Sequence, residues 1–414
     1  MDSDSNLEVL KPPEIRKLLT IYKAQIRPVL DYCSHIWSAA PKHTLELIES
    51  VPKRTIRLVG DASLTNSLTP LEHRRQVGDL ALFWRRNICS SITHQYWKRT
   101  RQVVFKVSTE VAQIGILCCL AVYYIVESVV YAVTPSFLLA EKSVRGKVVL
   151  VTGGAGGLGQ DLVLRLARQD AKVVVWDNDE KALENLHKRA KDEGHLIYTY
   201  PVDVTEREIV YKYAKLVKED VGPVDVLINN AGVVCGQKLL DIPDYMVEKT
   251  FKVNVLAHFW TIKAFLPDMM KKKEGHIVTI GSLTGLLGTY KCTDYSASKF
   301  ASVGLHESLL TELKTHGQHK IKMSLVCPYF IDTGMFDGCK PKNMPMLQPR
   351  DVAKRIITAI KREEDFVTMP SYARYVFPLK NFLPAKLSWA MMIRVIQGPQ
   401  AMMGMRSFKE VEAA

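Results

Sequence analysis

The chain reads as an α/β protein carrying a doubly wound parallel sheet, preceded by a membrane helix and a mostly helical N-terminal segment. Three observations support this. Short Val- and Ile-rich runs alternate with amphipathic stretches from about residue 146 onward, a glycine-rich loop follows the first such run, and about thirty nearly uncharged residues lie just before it. Near-continuous apolar strands separated by helices imply a parallel sheet covered on both faces.

At 414 residues the chain is long enough for two or three units, so its composition is informative only by region. A formal net charge of +13 invites a nucleic-acid or anionic-membrane reading, but about half of the excess lies in the first 110 residues. The eight cysteines show neither C-x-x-C nor zinc-finger spacing, and the chain opens with polar and acidic residues rather than a cleavable leader. A reduced, cytosol-facing protein without a metal site is the expectation.

Residues 1 to 105 are basic and helical in pattern, with neither a phosphate loop nor an acidic metal cluster. The run from "IYKAQIRPVLDYCSHIWSAAPKHTLELIES" through "LEHRRQVGDLALFWR", with its flanks about residues 14 to 91, resembles the C-terminal tail of a non-LTR retrotransposon reverse transcriptase. The catalytic aspartates of such a polymerase belong upstream of that tail, so the resemblance implies no polymerase activity. The segment reads as a mobile-element fragment joined to an unrelated gene, or as a misdrawn gene boundary. The competing reading is nucleic-acid binding by this segment, with Arg and Lys on phosphates and aromatics stacking on bases.

Residues 106 to 142 form the second unit. Between 111 and 140, "VAQIGILCCLAVYYIVESVVYAVTPSFLLA" has one charged residue, Glu127, and about 20 apolar residues are enough to cross a bilayer. Basic residues flank both ends, so the positive-inside count sets no orientation, and Pro135 leaves a hairpin as open as a single span.

The third unit, 143 to 370, supplies seven candidate strands: "KVVLVT", "KVVVWD", "LIYTYP", "VDVLINN", "HIVTIGS", "KMSLVCP" and "DFVTMP". After the first comes "TGGAGGLG", where Gly153, Gly157 and Gly159, with Leu158, open a helix; glycines here permit a tight turn and close backbone approach to a pyrophosphate. The second strand ends in Asp177, eighteen positions after Gly159. A carboxylate there can accept both hydroxyls of an adenosine ribose and repel a 2'-phosphate, which favours NAD over NADP; the alternative is a solvated loop aspartate. Strand, glycine loop, helix and acidic strand end together specify a Rossmann-type site.

Within "GSLTGLLGTYKCTDYSASKF", Ser282 lies thirteen residues before Tyr295, and Lys299 lies four after it. Hydride transfer at a carbinol carbon needs a group that exchanges the hydroxyl proton, and a tyrosine near pKa 10 is a poor base at neutral pH. An ammonium one helical turn on can lower that value, while Ser282 can donate to the substrate oxygen. Tyr290 has Asp294 at its fourth following position, a carboxylate expected to raise its pKa, and reads as a loop or pocket-wall residue.

The glycine loop, "NNAG" at 229 to 232, Asn254 of "KVNVLAHFW", Ser282, Tyr295 and Lys299 occur in the order and spacing of the short-chain dehydrogenase/reductase family, and the chain resembles it over residues 143 to about 370. "NVLAHFWTIKAFLP" and "PYFIDTGMF" are most similar to its membrane-attached branch of retinol dehydrogenases and 17-beta-hydroxysteroid dehydrogenase 11-like enzymes. The resemblance implies an NAD-dependent oxidoreductase interconverting a lipophilic alcohol and its carbonyl, retinol with retinal or a steroid or other lipid alcohol. Tyr295 would be the acid/base, Ser282 and Lys299 its partners, and Asn254 the holder of a water beside Lys299. It further implies that Asp203 and Val204 approach the adenine, that Asn230, Ala231 and Gly232 line its ribose, and that Pro328, Ile331 and Thr333 meet the carboxamide.

The same resemblance implies attachment to the endoplasmic reticulum membrane or lipid droplets, with the catalytic domain facing the cytosol, and a homodimer formed through the helices around Tyr295. A non-catalytic lipid-droplet scaffold retaining the fold is the competing class; Ser282, Tyr295 and Lys299 would have no use there. The last unit, 371 to 414, is apolar with scattered basic residues and reads as a substrate cap, a membrane-lying segment or a core-packing helix.

Overall fold

The computed structural model describes residues 90–134, 139–342 and 344–406. Most of the retrotransposon-like segment therefore lies outside the described residues, as does Pro135. The chain divides into two units at Glu127/Ser128, within its first described helix, α1 (Ser90–Val133). Inside α1, Ser108–Ser128 has a mean hydropathy of 1.8 over its apolar window, and none of that window is buried against protein. This is the one described helix long and apolar enough to cross a membrane. Its helical extent is shorter at the C-terminal end than the apolar run in the sequence, which continues to residue 140.

The second unit is built on seven parallel strands: β1 (Val148–Thr152), β2 (Lys172–Asp177), β3 (Ile197–Pro201), β4 (Val226–Asn229), β5 (Gly275–Ile280), β6 (Ile321–Pro328) and β7 (Phe366–Met369). Five fall within the runs expected from the sequence, β5 and β6 begin one residue before theirs, and the spatial order is β3-β2-β1-β4-β5-β6-β7. Alternate side chains of a strand face opposite sides of a sheet. In β1, accordingly, Val149 and Val151 join one core while Val148 and Leu150 join the other.

The first core is closed by α2 (Gly157–Ala167), α3 (Glu180–Asp192) and α8 (Pro349–Arg362), through Leu162, Leu166, Leu186 and Ile356 among others. The second is closed by α4 (Arg207–Asp220), α6 (Ala257–Lys272) and α7 (Thr293–Thr315), with Val217, Phe265 and Leu313 buried on the sheet. Between α4 and α6 lies α5 (Asp244–Phe251), joined to α6 by a π turn, Lys252–Leu256.

The order of the strands locates the site. The chain winds outward from β1 to β2 and β3, then returns to lay β4 on the other side of β1, so the loops after β1 and β4 diverge and leave a crevice at the carboxyl ends of the strands. On entry to the domain, Glu141 pairs with Lys361 and Arg362 at the end of α8, and Lys142 pairs with Glu363. Beyond β7 come α9 (Ala373–Val376), α10 (Ala385–Ala390), a π turn at Met391–Ile396 and α11 (Gly398–Met402). This last stretch has both buried and exposed apolar residues. Ala401, Met402 and Met405 are buried beside Tyr295, whereas Phe382, Trp389 and Val395 are exposed.

Candidate active site

The crevice is a cleft of about 750 Å³, and it brings together nearly every residue singled out in the sequence. Gly153, Gly157, Leu158, Gly159, Asp177, Asp203, Val204, Asn230, Ala231, Gly232, Ser282, Tyr295, Lys299, Pro328, Ile331 and Thr333 all line it. Asn254 does not.

At one end, β1 stops at Thr152 and the loop turns through Gly153, whose φ of +60° suits glycine. A Cβ there would meet the Ala231 backbone at 2.8 Å, and one on Gly159 would stand 2.2 Å from the Gly153 carbonyl oxygen. The loop is also held from the side. Asn230 donates both amide hydrogens, to the Thr152 and Gly153 carbonyls at 3.0 Å each, while Thr152 Oγ1 accepts from the Asn230 and Ala231 amides. Asn230 is thus a staple between the β1 and β4 loops as well as a lining residue.

The N-cap of α2 is Gly156, and no side chain caps the helix, so its first amides face the cleft without a competing carboxylate or hydroxyl. Asp177 Oδ2 accepts from the Ala155 amide at 2.9 Å and Oδ1 from the Asp179 amide at 3.2 Å. Those bonds aim the carboxylate at the loop and still leave lone pairs for hydroxyl donors. Asp203 is exposed and accepts from the Thr205 amide and hydroxyl, at 2.9 and 2.8 Å. A glycine cradle, uncapped helix amides and an oriented acid at the second strand's end fit a nicotinamide dinucleotide.

At the other end, Ser282 follows β5, and Tyr295 and Lys299 lie on the first two turns of α7. All three are buried, at 8%, 5% and 3% exposure. The Ser282 hydroxyl accepts from the Thr284 amide at 3.1 Å and the Thr284 hydroxyl at 2.9 Å. A hydroxyl has two acceptor sites and one proton, so this arrangement commits Ser282 to donating, and its bond to the Tyr295 phenol pulls that group's pKa down.

The net shift of Tyr295 is nevertheless upward, caused first by burial and then by Cys292. This departs from the expectation that Lys299 would lower it. Lys299 Nζ stands 5.5 Å from the Tyr295 ring centroid but donates to the Ile280 carbonyl at 2.9 Å, and burial pushes its own pKa down to about 8.

Asn254 lies within the π turn, fully buried. It accepts from the Val233 amide at 2.9 Å and donates to the Val233 carbonyl at 3.0 Å and to Ser298 Oγ at 2.9 Å. It therefore fastens the loop after β4 to α7, behind the cleft wall. Asp294, expected beside Tyr290, is buried and accepts from Thr250 on α5 at 3.0 Å, while Tyr290 is 37% exposed and outside the cleft lining.

Several neighbours went unnoticed in the sequence. Phe336 packs edge-on against Tyr295 at 5.9 Å, and α5 with the π turn adds Tyr245, Glu248 and Lys252 to the cleft. Phe336 and Met402 come from loops far from Tyr295 in the chain, with no spacing to betray them. The four-residue spacing of Tyr245, Lys249 and Val253 is a helical stripe that could have suggested a cleft-facing side for α5.

Comparison with known proteins agrees with this geometry. The short chain dehydrogenase family model matches residues 147–343. Short-chain dehydrogenase/reductase family 16C member 6 of Bos taurus is 42% identical over 273 residues, covering 65% of this chain and 85% of that protein. Epidermal retinol dehydrogenase 2 of Homo sapiens is 42% identical over 270 residues, covering 64% and 86%, and retinol dehydrogenase 10-B of Danio rerio is 42% identical over 269 residues, covering 59% and 80%. Among solved structures, a short chain dehydrogenase/reductase from Burkholderia phymatum in complex with NAD is 27% identical and superposes with a TM-score of 0.54, covering 58% of this chain and 94% of that one.

Proposed function

The chain belongs to the short chain dehydrogenase family, and from that premise we propose that Tyr295 is the acid/base of an NAD-linked interconversion of retinol, or a related lipophilic alcohol, with its carbonyl. The chain is an NAD(P)-dependent alcohol oxidoreductase. The observation supporting this assignment of roles is the convergence of Ser282, Tyr295 and Lys299 at one end of a cleft whose other end is the glycine loop and Asp177.

When bound, the dinucleotide supplies a two-electron acceptor or donor for the hydride on the carbinol carbon. The protein must handle the proton. In oxidation the substrate hydroxyl proton passes to the Tyr295 oxygen as the hydride leaves carbon; in reduction Tyr295 returns it to the forming alkoxide. Ser282, its acceptor sites occupied by Thr284, donates to the same substrate oxygen as charge develops there. In this reading the Lys299 ammonium, 5.5 Å from the Tyr295 ring centroid, offsets charge on a transient phenolate, while burial raises the phenol's pKa overall and keeps Tyr295 protonated for reduction. Asn254 acts indirectly, by holding α7 against the loop after β4.

Ribose recognition by Asp177 favours NAD, since a 2'-phosphate would face a carboxylate. The exposed apolar length of Ser108–Ser128 supports attachment to the endoplasmic reticulum membrane or a lipid droplet, where a lipophilic alcohol partitions. A homodimer through α6 and α7 is part of the same reading; Phe259 and Phe300 on these helices are 38% and 42% exposed.

The deciding experiment is turnover of retinol by detergent-solubilised Tyr295→Phe. General acid–base catalysis is worth roughly 10²- to 10⁴-fold, so kcat should fall by at least about 10²-fold while the NADH Kd stays within about twofold. Wild-type turnover in that variant would sink the assignment.

A further inference from the structure

The cleft does not end at Ser282. A smaller cavity, of about 50 Å³, shares Ser282, Pro328, Tyr329 and Phe336 with it and runs on between Leu287, Phe377, Met392 and Ile396. Those last four residues also line a third space, of about 220 Å³, closed further by Val376, Leu383, Trp389 and Met391. Shared walls set the three spaces in a row: the cleft, a small middle cavity that forms a neck, and an outer chamber. The neck has less than a quarter of the chamber's volume.

The chamber wall is apolar apart from Lys380, Ser388 and the backbone of Gly288. Both polar side chains have partners within the protein: Lys380 Nζ donates to the Leu286 carbonyl, and Ser388 Oγ donates to the Lys380 carbonyl at 3.3 Å. Nothing in this wall calls for a polar ligand. Trp389, which lines the chamber, is 63% exposed, so the chamber lies at the surface.

We propose that this row of cavities is the binding site for the hydrocarbon chain of the alcohol, with Met392 and Ile396 forming a neck that selects a single flexible chain over a fused-ring skeleton. The proposal rests on the dehydrogenase reading above. With the hydroxyl at Ser282 and Tyr295, the carbons beyond it can run out through the apolar neck. A linear alkyl, polyene or prenyl chain threads such a constriction by rotating about single bonds; a rigid polycycle cannot narrow itself to pass. Burial of each methylene is worth about a fourfold change in affinity, so KM should fall by about that factor per added carbon until the chamber is filled.

The test uses the detergent-solubilised full chain and NAD with butanol, octanol, dodecanol and a fused-ring secondary alcohol. In the wild type, kcat/KM should climb along the linear series and be at least tenfold lower for the fused-ring alcohol than for dodecanol. Met392→Trp and Ile396→Trp should each cut the dodecanol-to-butanol ratio of kcat/KM at least tenfold, and Met392→Ala should raise relative turnover of the fused-ring alcohol. NADH binding and the melting temperature verify that each variant is folded. The chain-binding proposal is overturned if the tryptophan variants leave the ratio unchanged, if butanol and dodecanol are turned over equally well, or if the fused-ring alcohol is preferred. Turnover of retinol but of none of these linear alcohols would likewise overturn it, whereas failure of the wild type to oxidise retinol as well as the whole panel would instead overturn the dehydrogenase reading on which the proposal rests.

Discussion

The Lys299 ammonium stands 5.5 Å from the centroid of the Tyr295 ring while donating its hydrogen bond to the Ile280 carbonyl, so the two residues share one buried wall without touching through their polar ends. In the proposed mechanism their coupling acts through space and requires Lys299 to be charged.

That dependence gives a pH signature. Burial lowers the Lys299 pKa to about 8, so the group is protonated below that value and loses its charge above it. For reduction in a pH series, where burial keeps Tyr295 protonated, a rate that relies on the ammonium should hold level below pH 8 and decline by up to about tenfold per unit above it. Lys299→Met should remove the decline and lower kcat by roughly 10²-fold or more. A wild-type profile still rising at pH 10 would contradict the coupling.

Asp177→Ala removes the carboxylate that would repel a 2'-phosphate and accept the ribose hydroxyls. The NAD-to-NADP ratio of kcat/KM should fall by at least about tenfold, with most of the change in KM, because the lost bonds act equally on ground and transition states. Steady-state kinetics with both dinucleotides measures it; a wild type that already prefers NADP would contradict the premise.

Thr284 touches no reacting atom, yet its amide and hydroxyl occupy the acceptor sites of Ser282. Thr284→Val keeps the shape and deletes the hydroxyl. kcat should fall about three- to tenfold, equivalent to about 1 kcal/mol for one hydrogen bond, while Thr284→Ser restores it. A loss of equal size in both variants would point to packing instead.

Three buried histidines make the domain acid-sensitive. Burial lowers His258 to about 3 and His276 and His306 to about 4, against an ordinary value near 6.5. Because the unfolded chain binds protons at a higher pH than the folded one, their contribution is complete above about pH 6.5 and is lost as pH falls toward 4. A tenfold difference in proton affinity between the folded and unfolded chain is worth about 1.4 kcal/mol, so the three together should cost several kcal/mol between pH 6.5 and 4. Urea unfolding across that range checks the slope, and His276→Gln should make it shallower.

Much of this domain was legible because its strands are nearly continuous apolar runs and its glycines and acids sit where strands end. "KVVVWD" announces both a buried strand and the acid that closes it. Direction of a pKa shift was less legible: Tyr295 and Lys299 are four residues apart, but whether the pair is wet or dry depends on Phe336 and the C-terminal methionines, which are remote in the chain. The same holds for Asn230, whose role as a staple depends on two loops from neighbouring strands. Met392 and Ile396 belong to a π turn in a short-helix region, where no period marks a wall.

The π turn between α5 and α6 carries one consequence beyond Asn254. Each residue turns a helix by about 100°, so an extra residue in that turn resets the phase between the two segments. On one side Met246 and Thr250 point inward, and on the other His258 and Thr261 do. Excising a single residue from Lys252–Leu256 would leave a straight rod whose two halves disagree about which way is in. One half would surrender its buried row to solvent, and the Asn254 fastening to Val233 and Ser298 would break with it.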